Sequence, residues 1–84
     1  QFYKAYYNKG FVYLELLNKF DSAAYFFSMA IEKGPEDFYP AVYNRGLSNE
    51  RLGKFKEAES DYRQALKVNP QYDLAAIGLS RLGK

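Results

Sequence analysis

Apolar residues recur along the chain at helical spacing, in five stretches separated by short polar or Gly/Pro-containing turns. Phe2–Leu17 is the first. Tyr6, Gly10, Tyr13 and Leu17 share one face and Tyr7, Phe11 and Leu14 another, so this helix is apolar nearly all round, with Lys4, Lys9 and Glu15 marking a solvated edge. Asn18, which tolerates a left-handed backbone, ends it, and Asp21 or Ser22 is positioned to cap the next helix. The second helix spans Asp21–Lys33, turns Ala23, Phe27, Ala30 and Ile31 towards its partner, and stops at Gly34-Pro35. A third begins near Phe38 to Pro40, where proline is tolerated in the first turn, and is ended by Gly53. The fourth is Lys56–Val68, with Glu59 and Arg63 in the favoured order for an exposed ion pair. The fifth, Asp73–Leu82, is closed by Gly83. It directs Ala75, Ala76, Leu79 and Leu82 backwards onto the preceding helices and leaves Leu74 and Ile77 on its other face.

These stretches repeat. Tyr7-Asn8-Lys9-Gly10 returns 36 residues later as Tyr43-Asn44-Arg45-Gly46. Phe20, Ala23, Phe27, Ala30 and Pro35 return after 35 residues as Phe55, Ala58, Tyr62, Ala65 and Pro70. The drop from 36 to 35 places one extra residue of the first unit in the Leu17-Asn18 turn, where it disturbs neither helix. Gly46, Ala58 and Ala65 put minimal side chains where two helix axes can approach, and Tyr62 supplies the one large ring between them. Such a hairpin has more apolar surface than it can bury alone, so it stacks on others of its kind.

The second unit resembles the tetratricopeptide repeat. Gly46, Ala58, Tyr62, Ala65 and Pro70 stand at that family's small, small, aromatic, small and proline positions, and Gly53-Lys54-Phe55 is similar to its inter-helix turn. The first unit matches in Gly10, Ala23, Phe27, Ala30 and Pro35. Arg45 and Asn49 depart from it, standing where the family commonly has leucine and tyrosine, which predicts looser packing inside the third helix. A repeat of 35 rather than about 34 residues places one more residue in the Gly34–Tyr39 linker. The resemblance implies an all-α, right-handed α-solenoid of antiparallel helix pairs: a single domain over residues 1–84, with repeats at about 3–36 and 38–71 and a terminal helix at about 73–82.

Composition narrows the function. The 84 residues are 48% hydrophobic and 26% charged, a globular balance, and the 19% aromatic content exceeds what two aromatic signature positions need, so some rings line a surface. Twelve basic and ten acidic residues are interspersed, giving no basic stripe for a nucleic-acid backbone. With neither histidine nor cysteine, the commonest nucleophile–base pairs and zinc sites are unavailable. Glu57, Glu59 and Asp61 read as a solvated helix face, and Gly46 and Gly53 lack the strand-to-helix setting of a phosphate loop. No enzyme activity, cofactor or metal is expected. No apolar run approaches a membrane span, so no direct membrane contact is expected either, and the start without Met suggests a piece of a longer protein, whose compartment stays open.

In the tetratricopeptide family the first helix of each pair lines a concave groove that takes a peptide or a partner helix. On that resemblance the groove is built from Tyr7, Phe11 and Leu14, then Tyr43, Leu47 and Glu50, then Leu74, Ile77 and Arg81, with Asn44 offering a hydrogen bond to a bound backbone. The expected partner is an apolar, extended or helical protein segment. Two other readings stand beside it: packing of the same residues in a longer solenoid, and self-association. A subclass of the family grips acidic chaperone tails by their terminal carboxylate. Its places are held here by Tyr7, Phe11, Asn44, Leu74 and Gly78, of which only Asn44 fits, so such tails are not expected to bind.

Overall fold

A computed structural model describes residues 2–84, and among them there are five helices and no strand: α1 Phe2–Glu15, α2 Phe20–Lys33, α3 Tyr39–Arg51, α4 Phe55–Val68 and α5 Asp73–Arg81. The expected boundaries hold within two residues. α1 packs on α2, α3 on α4, α2 on α3 and α4 on α5, so each helix lies against its neighbours in the chain.

Helix ends follow from their turn residues. Gly53 and Gly83 take positive φ values of 79° and 81°. In each case the following N–H, of Lys54 or Lys84, reaches back 2.8 Å to the carbonyl of Asn49 or Leu79, closing the last turn. Asn18, at φ 52°, does the same duty after α1. The extra residue of the first unit lies there, between Leu16 and Lys19, and α1 stops at Glu15 rather than Leu17. The linker of residues 34–38 is one residue longer than that of residues 69–72, as the repeat spacing implies. Capping departs from expectation. The residue before α2 is Lys19, which makes no side-chain cap, and Asp21 lies inside the first turn, where its Oδ1 accepts the Ser22 N–H at 2.9 Å. A carboxylate there still favours the helix through its dipole.

Small residues let large rings in. Phe27 and Tyr62 are fully buried, and Ala23, Ala30, Ala58 and Ala65 beside them are too. A Cβ on Gly10 would stand 2.9 Å from the Phe27 ring and one on Gly46 3.0 Å from Tyr62, so each hairpin closes only because its first helix has a glycine at the crossing. One core joins Tyr62 and Tyr43 with Ala75 and Leu79 of α5, and a second joins Leu14, Ala23 and Phe27. Leu47 packs against both. On α5, Ala75 and Leu79 are buried as expected, whereas Ala76 is exposed.

One expectation about the second hairpin needs correction. Asp61 is not on a solvated face: it is 6% exposed, and its carboxylate takes Nε and Nη2 of Arg45 at 3.1 and 2.9 Å and Nδ2 of Asn49 at 3.3 Å. Arg45 and Asn49 are its partners from α3. They exchange apolar contact for a three-residue polar cluster in which no fully buried side-chain atom lacks a partner. Among the described residues no helix is long and apolar enough to cross a membrane.

Candidate functional site

The helices α1, α3 and α5 are joined by side-chain bridges that gather most of the expected groove residues. Tyr7 of α1 stacks loosely on Phe11, with ring centroids 6.3 Å apart, and accepts a 3.0 Å hydrogen bond from Nδ2 of Asn44 on α3. The same nitrogen donates to the Pro40 carbonyl at 2.8 Å. Asn44 is thereby locked at 5% exposure. Its Oδ1 accepts nothing from the described residues, yet it is not sealed off either, because no fully buried polar atom is left unpaired. Burial raises the Tyr7 phenol above its usual range, and the Asn44 hydrogen bond partly offsets this.

From α3 to α5 the link is ionic. Arg81 grips Glu50 in a fork, Nε to Oε2 at 2.9 Å and Nη2 to Oε1 at 3.0 Å, and Tyr62 donates its hydroxyl to the same carboxylate at 2.6 Å. The Arg81 hydrogen bond, more than any other influence, holds the Glu50 carboxyl below its usual range. Tyr62 is pushed up, first by burial and then by Glu50. Between the two links the rings of Tyr39, Tyr43 and Tyr72 meet edge to face at 4.8 and 5.4 Å. Burial, followed by the neighbouring tyrosines, pushes the Tyr72 phenol up to about 12.

The residues differ in access. Phe11, Leu74 and Ile77 are 43%, 49% and 52% exposed, and Tyr7, Leu47 and Glu50 are half-buried. Tyr43 is 9% exposed and forms the floor. Leu14, at 1%, lies in the core with Ala23 and Phe27 and supports the surface from beneath instead of lining it. Glu50 and Arg81 neutralise one another, so neither is a free charge.

Tyr3, Phe38, Tyr39 and Tyr72 belong to this aromatic system and were not singled out by sequence. Tyr3 and Phe38 meet edge to face at 5.2 Å, and Phe38 also meets Tyr7 at 5.2 Å. A signal was present, because Phe38 and Tyr72 sit just before the helices α3 and α5, at the same place in successive units. Elsewhere, a cleft of about 500 Å³ lies between α2 and α4, lined by Asp21, Tyr25, Ser28, Arg45, Asn49 and Asp61 among others. Its one cation, Arg45, is already paired with Asp61.

Residues 39–72, which hold α3, its turn, α4 and the following linker, match the family model described as tetratricopeptide repeat. The chain carries a tetratricopeptide repeat. That family is a non-catalytic module of protein–protein interaction. No curated protein and no solved structure matches the chain. Within the tetratricopeptide repeat, Gly46 and Tyr62 make the crossing described above, and the departures at Arg45 and Asn49 are accommodated by Asp61.

Proposed function

We propose that the chain recognises an apolar segment of a partner protein, extended or helical, laid along α1, α3 and α5. The observation that carries this reading is that Phe11, Leu74 and Ile77, large apolar side chains left in water, lie on helices joined through α3 by the Tyr7–Asn44 and Glu50–Arg81 contacts. Tyrosine and phenylalanine give large contact area with few rotatable bonds. The floor, Tyr7 hydrogen-bonded to Asn44 and Tyr43 held by ring contacts to Tyr62 and Tyr72, is set before a partner arrives, so less ordering is lost on binding. Asn44 Oδ1 is the acceptor for a partner backbone N–H. The closed Glu50–Arg81 pair at the edge presents no net charge to the partner. The places that grip a terminal carboxylate in one subclass of the family hold Tyr7, Phe11, Leu74 and Gly78 here, none of which is a charge-assisted donor, so acidic chaperone tails do not fit this surface. Nucleic acid is not part of this reading, and neither is catalysis.

The domain division that goes with it is a single unit of two repeats, 3–36 and 38–71, and a terminal helix. The exposed Leu74 and Ile77 also fit a second copy of the chain, and sedimentation across concentration tests that alternative.

The test compares the chain with a Phe11→Lys, Ile77→Lys variant in capture from cell extract. Both positions are exposed, so the helix signal in circular dichroism should be unchanged. Loss of a captured protein by the variant alone supports the surface. Equal capture moves recognition elsewhere.

A further inference from the structure

The turn joining α1 to α2, residues 16–19, and the turn joining α3 to α4, residues 52–54, lie at the same end of the molecule as residues 82–84 after α5. Side chains tie the three into one edge. Arg51 Cζ lies 5.6 Å from the centre of the Phe20 ring, linking the second turn to the first. Phe55 and Lys56 in turn share a cleft of about 360 Å³ with Leu82 and Lys84.

Folding gathers on this edge bases that are interspersed along the chain. Lys19, Arg51, Lys54 and Lys56 are exposed there, and none meets a carboxylate within ion-pair distance among the described residues. Of the acids that flank these turns in sequence, Glu50 is held by Arg81, Asp21 and Glu57 line the cleft between α2 and α4, and Glu15 adjoins the first turn. The linkers at the other end, residues 34–38 and 69–72, carry Glu36 and Asp37 and no base. Charge is thus polarised from end to end. Large apolar side chains accompany the bases: Leu16, Leu17, Leu52 and Phe55 are exposed, and Leu16, at 74%, more so than Phe11, Leu74 or Ile77.

We infer that this edge rests on an anionic membrane surface, with Leu16, Leu17, Leu52 and Phe55 entering the headgroup layer and the four unpaired bases meeting lipid phosphates. The expectation of no membrane contact came from the lack of a spanning run, which contact of this kind does not require. Two observations favour a lipid surface over an acidic protein. Three of the four unpaired bases are lysine, a compact charge on a flexible stem that suits mobile headgroups, whereas the arginine fork suits fixed carboxylates. The acidic linkers lie at the far end, so the field of an anionic surface turns the basic edge towards it. A nucleic-acid backbone would use the bases and leave the leucines in water. Phe11 and Ile77 lie within α1 and α5 and not on these turns, so this inference and the proposed function fail independently.

The test is co-sedimentation of the intact chain with vesicles of phosphatidylcholine, with and without phosphatidylserine. Binding to the phosphatidylserine vesicles alone is expected, and it should fall as salt is raised. Lys19→Gln with Lys54→Gln should weaken it about twentyfold, or about fivefold for each base removed. Leu16→Ser should weaken it about tenfold. Lys33→Gln with Lys67→Gln, which takes the same charge from the other end, should leave it unchanged. All five side chains are exposed, so the helix signal in circular dichroism should hold in every variant. No binding to phosphatidylserine vesicles, indifference to Leu16→Ser, or equal loss from the two lysine pairs would overturn the inference. Saturable binding of a glutamate- and leucine-rich peptide in place of vesicles would overturn the choice of occupant and assign the edge to an acidic protein segment.

Discussion

The two hairpins share one frame and differ at its rim. In both, a glycine admits a fully buried ring between two alanines: Gly10 with Phe27, Gly46 with Tyr62. At the three equivalent rim positions the first hairpin has Lys9, Tyr13 and Phe26, and the second Arg45, Asn49 and Asp61. The first set is a stack, with Tyr13 and Phe26 rings 5.3 Å apart and Lys9 above. The second is a hydrogen-bonded ion cluster. The lesson is that the crossing is set by residue size, while the rim accepts either chemistry provided that all three members change together. A carboxylate beside Tyr13, or a guanidinium beside Phe26 in a closed site, would lose its partner.

The comparison breaks first at the crossing. Phe27→Ala and Tyr62→Ala should each cost about 3–5 kcal/mol in urea unfolding, the range for an aromatic removed from a packed core. Tyr62→Ala should be the worse of the two, because its hydroxyl also serves Glu50. Equal costs would show that the Tyr62–Glu50 hydrogen bond contributes nothing.

At the rim a smaller and unequal effect is expected. Asp61→Ala leaves Arg45 and Asn49 facing a void and should cost about 2–3 kcal/mol, discounted from a fully buried pair because the Arg45 side chain is 31% exposed. The triple change Arg45→Lys, Asn49→Tyr, Asp61→Phe, which copies the first hairpin, should recover most of that loss. Additive destabilisation by the three changes would refute the idea of interchangeable rims.

The smallest effect is a pH dependence at the Glu50–Arg81 link. The Glu50 carboxyl is lowered in the folded chain, so its contribution is fully present above the ordinary value of 4.5 and fades as pH falls through the folded value. Because the Arg81 side chain is 42% exposed, the contribution should stay below about 1 kcal/mol. Comparing the chain with Glu50→Gln between pH 7 and pH 3, the difference in urea midpoint should shrink on acidification. A constant difference would remove Glu50 from the acid response.

Much of the helical frame was legible in residue order. Small–large–small spacing in α2 and α4, glycine at the crossings and Asn18, Gly53 and Gly83 at helix ends are local or periodic signals, and the structure follows them. The rim was less legible. Asp61 lies one turn beyond Glu57 and reads as part of a solvated acidic face until α3 is laid against it, although a basic residue and an amide four apart at places meant for leucine and tyrosine were a hint. The candidate surface was legible as a face but not in depth. Leu14 and Phe11 carry similar hydrophobicity and opposite fates, 1% and 43% exposed, because the first points at Phe27 of α2 and the second away from it.

What the sequence alone determined is the sequence of helices, their turns and the identity of the residues at each crossing, since these depend on backbone preference and side-chain volume within one or two turns. Tertiary structure decided which charges are paired and which rings remain in water. Arg45 found Asp61 sixteen residues away and Glu50 found Arg81 thirty-one away, pairings set by the distance between helix axes, which no periodicity within a single helix encodes.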